Sequence, residues 1–151
     1  MLENRIPPPV VMLVTGIAIA AAGRLQPLMP LPPLWRHLLA GGLLLAGLGI
    51  VALGVMRFRA AGTTIDPTRP DQASTLVATG IYRFTRNPMY LGFATMLLGW
   101  AVQWQSVWGL ALTGLFVGYI HRFQILPEER ALRAKFGAEF DAFASQVRRW
   151  L

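Results

Sequence analysis

From Asn87 to Ile120 the chain carries no charged side chain, and a run of that length restricts the fold more than any other feature. As one α-helix it would extend about 51 Å at 1.5 Å per residue, well past the roughly 30 Å of a bilayer's hydrocarbon core. It has to turn back on itself, and the polar stretch Gln103-Trp104-Gln105-Ser106 is the place for a tight hairpin. Two more uncharged runs come before it. Ile6 to Gly23 is led in by Pro7, Pro8 and Pro9, and Leu38 to Met56 is closed by Arg57 and Arg59. With 54% hydrophobic residues, 14% charged and a mean hydropathy of +0.47, the composition is that of a polytopic membrane protein.

The expected fold is therefore all-α. Four transmembrane helices are predicted at about 7–23, 38–56, 87–103 and 106–121, with a cytosolic loop over 57–86 and a cytosolic amphipathic helix over 127–147. The last helix rests on Leu132, Phe136, Phe140, Phe143 and Val147, which recur at spacings of three and four. The first run has a rival reading as a cleaved signal peptide, since Ala20-Ala21-Ala22 resembles a cleavage site. Glu3 in its basic end and the three prolines argue against it. Gly114 and Gly118 form a small-xxx-small pair that lets helices approach closely.

The net charge of +7 is collected in blocks, and of the fourteen Lys and Arg residues only Arg24 and Arg36 fall on the far side of the expected spans. The positive-inside rule makes the other side, with both termini, cytoplasmic. Nucleic acid is excluded as a partner because no basic patch is interleaved with stacking aromatics. There is no cysteine, and His37 and His121 are too far apart for a zinc spacing, so no metal is expected.

Two polar constellations share the cytoplasmic face. In the first, Arg83 and Arg86 precede Asn87, a plausible N-cap, and Pro88, at the first helical position. The unpaired N–H groups of a helix start, its dipole and two arginines together make a seat for an anion. The second holds His121, Arg122 and Gln124, then Pro127-Glu128-Glu129-Arg130. Each has a bland reading: a positive-inside anchor with a helix cap, and acidic residues complementing a helix N-terminus.

Taken together the motifs say more. Thr-Gly-Ile-Tyr (79–82) and Arg-Asn-Pro-Met-Tyr-Leu-Gly (86–92) are followed by Glu-Glu-Arg-Ala-Leu-Arg-Ala-Lys-Phe-Gly-Ala-Glu-Phe (128–140) and Val-Arg-Arg (147–149). Over roughly residues 60–150 this resembles the isoprenylcysteine carboxyl methyltransferase family and its bacterial relatives, small integral-membrane enzymes that use S-adenosylmethionine. The resemblance implies a cofactor pocket at the cytoplasmic helix ends, closed by the C-terminal helix, in a bacterial inner-membrane protein. Ser74, Thr75, Leu76 and Val77 would line the adenosine side with Tyr82 beside them. Asn87, Pro88, Met89 and Tyr90 occupy the family's His-Pro-x-Tyr place, and Glu128 that of a cofactor-contacting carboxylate. Asn87 stands where the family has histidine, and Gln124 where eukaryotic members have a substrate-contacting arginine. Arg122 and His121 are the nearby substitutes, and with Glu129 they are the candidate catalytic residues. The acceptor is expected to be a lipid or lipophilic small molecule entering from the bilayer. A small multidrug-type transporter fits less well, because it would place an ionisable residue within a span. A non-catalytic membrane scaffold is the other alternative.

Overall fold

Prolines open the first three helices, where a missing N–H costs nothing and a fixed φ suits the first turn. The computed structural model describes residues 6–25, 30–62 and 74–151; the middle of the expected 57–86 loop and Glu3 lie outside these. Helix α1 spans Pro8–Leu25, α2 Pro33–Ala60 and α3 Pro88–Gln103. A turn at Trp104 and Gln105, the latter with φ 52°, leads to α4, Val107–Ile120. Ser106 caps α4 by accepting a hydrogen bond from the Gly109 N–H at 2.9 Å. A π-helical turn, His121–Ile125, carries the chain without a break into α5, Leu126–Phe136. Gly137 (φ 52°) then separates α5 from α6, Ala138–Gln146.

This corrects the expected four transmembrane helices followed by one amphipathic helix. Among the described residues only α1 and α2 are long and apolar enough to cross a bilayer. At 1.5 Å per residue, the 16 residues of α3 and the 14 of α4 reach only about 24 and 21 Å, short of a roughly 30 Å core. The expected single helix over 127–147 is two, because the left-handed backbone at Gly137 ends the first. The chain beyond Gln146 leaves the helix and becomes extended at Val147.

Helix α3 is the centre of the packing and contacts α1, α2 and α4. Its seam with α2 runs antiparallel and is made of small residues. A Cβ added to Gly47 would lie 2.5 Å from Met96 Cγ and 2.6 Å from the Gly92 carbonyl oxygen. One added to Gly92 would meet the Gly47 carbonyl oxygen at 2.6 Å, and one on Gly99 the Ala40 carbonyl oxygen at 2.9 Å. The two backbones touch, which only residues without side chains permit. Gly114 and Gly118, expected to pack, face open space among the described residues. Gly92→Ala should therefore overpack the seam and cost about 1–3 kcal/mol, whereas Gly118→Ala should cost nothing. Thermal unfolding of the two variants in detergent checks this, and equal losses would contradict it.

The core, with Ile19, Leu97, Phe116, Ile120 and Ile125, lies between α1, α3 and the α4–α5 helix. Outward faces are as apolar as inward ones: Leu13, Val14, Ile17, Leu45 and Leu115 are all more than half exposed. Surfaces of this size and character associate with lipid, so the chain is membrane-associated.

Candidate functional site

The chain folds so that three separate segments meet at the start of α3: residues 80–90, the start of α5, and the C-terminal residues 144–149. Gly80 (φ 64°) opens a short 3₁₀ turn, Gly80–Arg83, in a backbone conformation that favours glycine, and lies against the Arg57 guanidinium. The turn buries Tyr82, whose ring meets Phe58 edge-on with centroids 5.5 Å apart. The Tyr82 hydroxyl is buried yet has no hydrogen-bond partner among the described residues. It stands 3.6 Å from a Cβ built on Gly54, where Met89 and Pro88 also pack. Tyr90, one turn into α3, is buried and donates from its hydroxyl to Glu128 Oε2 at 3.1 Å.

The neighbouring glutamates have opposite surroundings. Glu129 accepts from Arg86 Nη2 at 2.8 Å, from Arg149 Nε at 2.9 Å and from Arg149 Nη2 at 2.7 Å. Burial alone would raise its pKa, but the hydrogen bonds and charges of Arg149 and Arg86 hold it below the ordinary carboxylate value. Glu128 has the Tyr90 hydroxyl and, among the described residues, no paired arginine or lysine. Burial raises its pKa to about 7, and the Glu129 charge pushes the same way, against the Tyr90 hydrogen bond.

Arg86 does more than meet Glu129. Its Nη1 donates to the carbonyls of Ala144 (2.8 Å) and Val147 (3.1 Å), and its backbone N–H donates to the Arg148 carbonyl at 3.0 Å. Thr85 Oγ1 accepts from the Asn87 N–H and donates to the Arg149 carbonyl. Asn87 occupies the N-cap position of α3, but its side chain caps nothing; Nδ2 donates to the Arg149 carbonyl at 2.9 Å. These contacts strap the C-terminal segment across the mouth of α3. The seat expected for an anion is thus filled from within, since Arg86 is committed to Glu129 and to backbone carbonyls.

The other sequence candidates fall at varying distances from this corner. Val77 is buried, Leu76 is half-buried, and Ser74 and Thr75 are exposed. Ser74 Oγ donates to the Gly62 carbonyl at 3.4 Å. His121 is half-buried at the start of the π turn, and Arg122 is exposed with its guanidinium 5.7 Å from the Phe123 ring centre. Gln124 is fully buried and donates to the Ile6 carbonyl at 2.8 Å, tying the start of the chain to the π turn. Sequence reasoning missed Thr85 and Arg149. The closing Val-Arg-Arg carried a signal for Arg149; nothing marked Thr85.

The donor set fits S-adenosylmethionine. A half-buried carboxylate facing no cation among the described residues suits its ammonium or sulfonium charge, and the buried Tyr82 hydroxyl, without a partner among those residues, suits a ribose or adenine acceptor. Residues 35–139 match the family described as phospholipid methyltransferase. An uncharacterized protein of Haemophilus influenzae is 42% identical over 65 residues, which is 42% of this chain and the whole of that protein. No solved structure matches the chain.

Proposed function

The chain belongs to the phospholipid methyltransferase family, and on that footing we propose that the corner of Tyr82, Tyr90 and Glu128 seats the cofactor and that the acceptor is an amine-bearing lipid of the surrounding bilayer. Membership makes it an S-adenosylmethionine-dependent methyltransferase of membrane-associated substrates. The observation that carries the assignment of the corner is the contrast between two adjacent glutamates. Glu129 is spent on two arginines of the chain, while Glu128 stands partly buried with, among the described residues, a phenol as its one hydrogen-bond partner.

When bound, the cofactor supplies an electrophilic methyl on a sulfonium. Glu128 and Tyr90 hold a cationic ligand in one orientation, and the strap of residues 144–149 excludes water on the cytosolic side. Transfer to an already nucleophilic atom needs orientation and a dry site more than acid–base groups. The resemblance to isoprenylcysteine carboxyl methyltransferases covers the His-Pro-x-Tyr place, with Asn87 for its histidine. It fails at the carboxylate-binding arginine, where Gln124 is turned to Ile6. That favours an amine over a carboxylate as the acceptor. In this reading α1 and α2 cross the inner membrane as a hairpin, Arg24 and Arg36 lie outside, and both termini are cytoplasmic.

Incubation with methyl-labelled S-adenosylmethionine and a total lipid extract tests the proposal. The expected product is an alkali-stable N-methyl label in an aminophospholipid. Label released by mild alkali as methanol, the signature of a methyl ester, would overturn the choice of acceptor.

A further inference from the structure

At the end of the helices opposite Glu128, α1 and α2 stand apart over the face of α3. The gap is a cavity of about 510 Å³ lined by Met12, Gly16, Ile17, Leu44, Met96 and Trp100 among others, nearly all apolar, with Arg24 and Trp104 at its end. A second cavity of about 430 Å³ shares Arg24, Trp100 and Trp104 and adds Arg36 and Gln103. Both are within the size range of ligand sites. Arg24 and Arg36, the two arginines at this end among the described residues, thus line one vestibule, where the positive-inside rule disfavours any.

The polar groups there are built to receive an anion. The Arg24 guanidinium lies 4.9 Å from the Trp104 ring centre, without a carboxylate partner among the described residues. The Trp104 indole N–H is buried with no acceptor among the described residues. The neighbouring Trp100 indole has one, the Gly16 carbonyl at 3.0 Å, so the same turn holds one satisfied indole and one waiting for an oxygen. Apolar slot and cationic mouth together have the polarity of one amphiphile.

We propose that this site holds a glycerophospholipid with an anionic headgroup. Its phosphate would lie at Arg24 and the Trp104 N–H, and one acyl chain along the slot between α1 and α2. Trp104 is fourteen residues along the helix and turn from Tyr90, about 20 Å at 1.5 Å per residue. The lipid is therefore distinct from the methyl acceptor and fastens α1 to α2, which share few contacts of their own.

The test uses the full chain, delipidated in detergent, with phosphatidylglycerol added back and thermal unfolding read out. Phosphatidylglycerol should raise the Tm, with apparent affinity at least ten-fold weaker in Arg24→Gln and reduced in Trp104→Phe, and unchanged in Arg59→Gln at the other end of α2. Diacylglycerol of the same chains and inorganic phosphate should each fail to reproduce the shift. The proposal is overturned if Arg24→Gln and Trp104→Phe respond like the parent, if diacylglycerol does as well, or if phosphate alone suffices. S-adenosylhomocysteine binding should survive in Arg24→Gln, which separates failure here from failure of the cofactor site.

Discussion

Glu129→Ala is expected to destabilise the protein by about 3–5 kcal/mol and to release the C-terminal segment. The carboxylate is the common acceptor of Arg86 and Arg149, and its side chain and that of Arg86 are each only about a tenth exposed. Removing one member of a buried ion cluster leaves the others desolvated and unpaired, which costs far more than a surface pair is worth. Arg86 then loses the charge that holds it beneath the carbonyls of Ala144 and Val147. The same logic sets the acid limit. Because Glu129 has a lowered pKa when folded, its contribution is present above its unfolded value and is lost as pH falls through the folded one. Thermal unfolding and limited trypsin digestion at Arg148 and Arg149 read the two effects. A variant with parental stability and an uncut C-terminus would show that the cluster is ornamental.

Glu128→Gln should act in the opposite direction on stability while abolishing cofactor binding. In the folded chain burial pushes the Glu128 pKa up to about 7 from an ordinary value of 4.5. Between those values the folded state holds a proton that the unfolded state has released, so stability falls as pH rises through the window. The glutamine has no such penalty. The variant should gain little at pH 5 and a few kcal/mol above pH 8, an order-of-magnitude figure from the size of the shift. A more stable protein that has lost its ligand is what a functional site predicts, since strain at such a site is kept for the sake of binding. Equal gains at both pH values would mean that Glu128 is not strained by ionisation.

Much of this was legible in the chain, and the parts that were not share a cause. The break between α3 and α4 could be read from four consecutive residues that do not suit a bilayer interior, and the start of α3 from Pro88. The number of spans could not, because an uncharged run gives total length, while the turn and the π segment decide how it is divided. Gly114 and Gly118 have the spacing of a packing motif, but Gly47, Gly92 and Gly99 form the seam. Spacing alone does not say which helix face meets a neighbour. At the site, the motif pair marked Tyr90 and Glu128 as residues of interest. That Arg86 closes the strap rather than an anion seat depends on where the last residues return, a long-range contact with no local signature.

Calorimetric titration of S-adenosylhomocysteine into the parent and into Glu128→Gln at pH 7.5 tests the central claim most directly. The corner built by Tyr82, Tyr90 and Glu128 predicts saturable binding to the parent and none, or binding at least a hundred-fold weaker, to a variant that is fully folded by its own unfolding curve. Equal affinity in the two proteins would place the cofactor elsewhere and contradict the account.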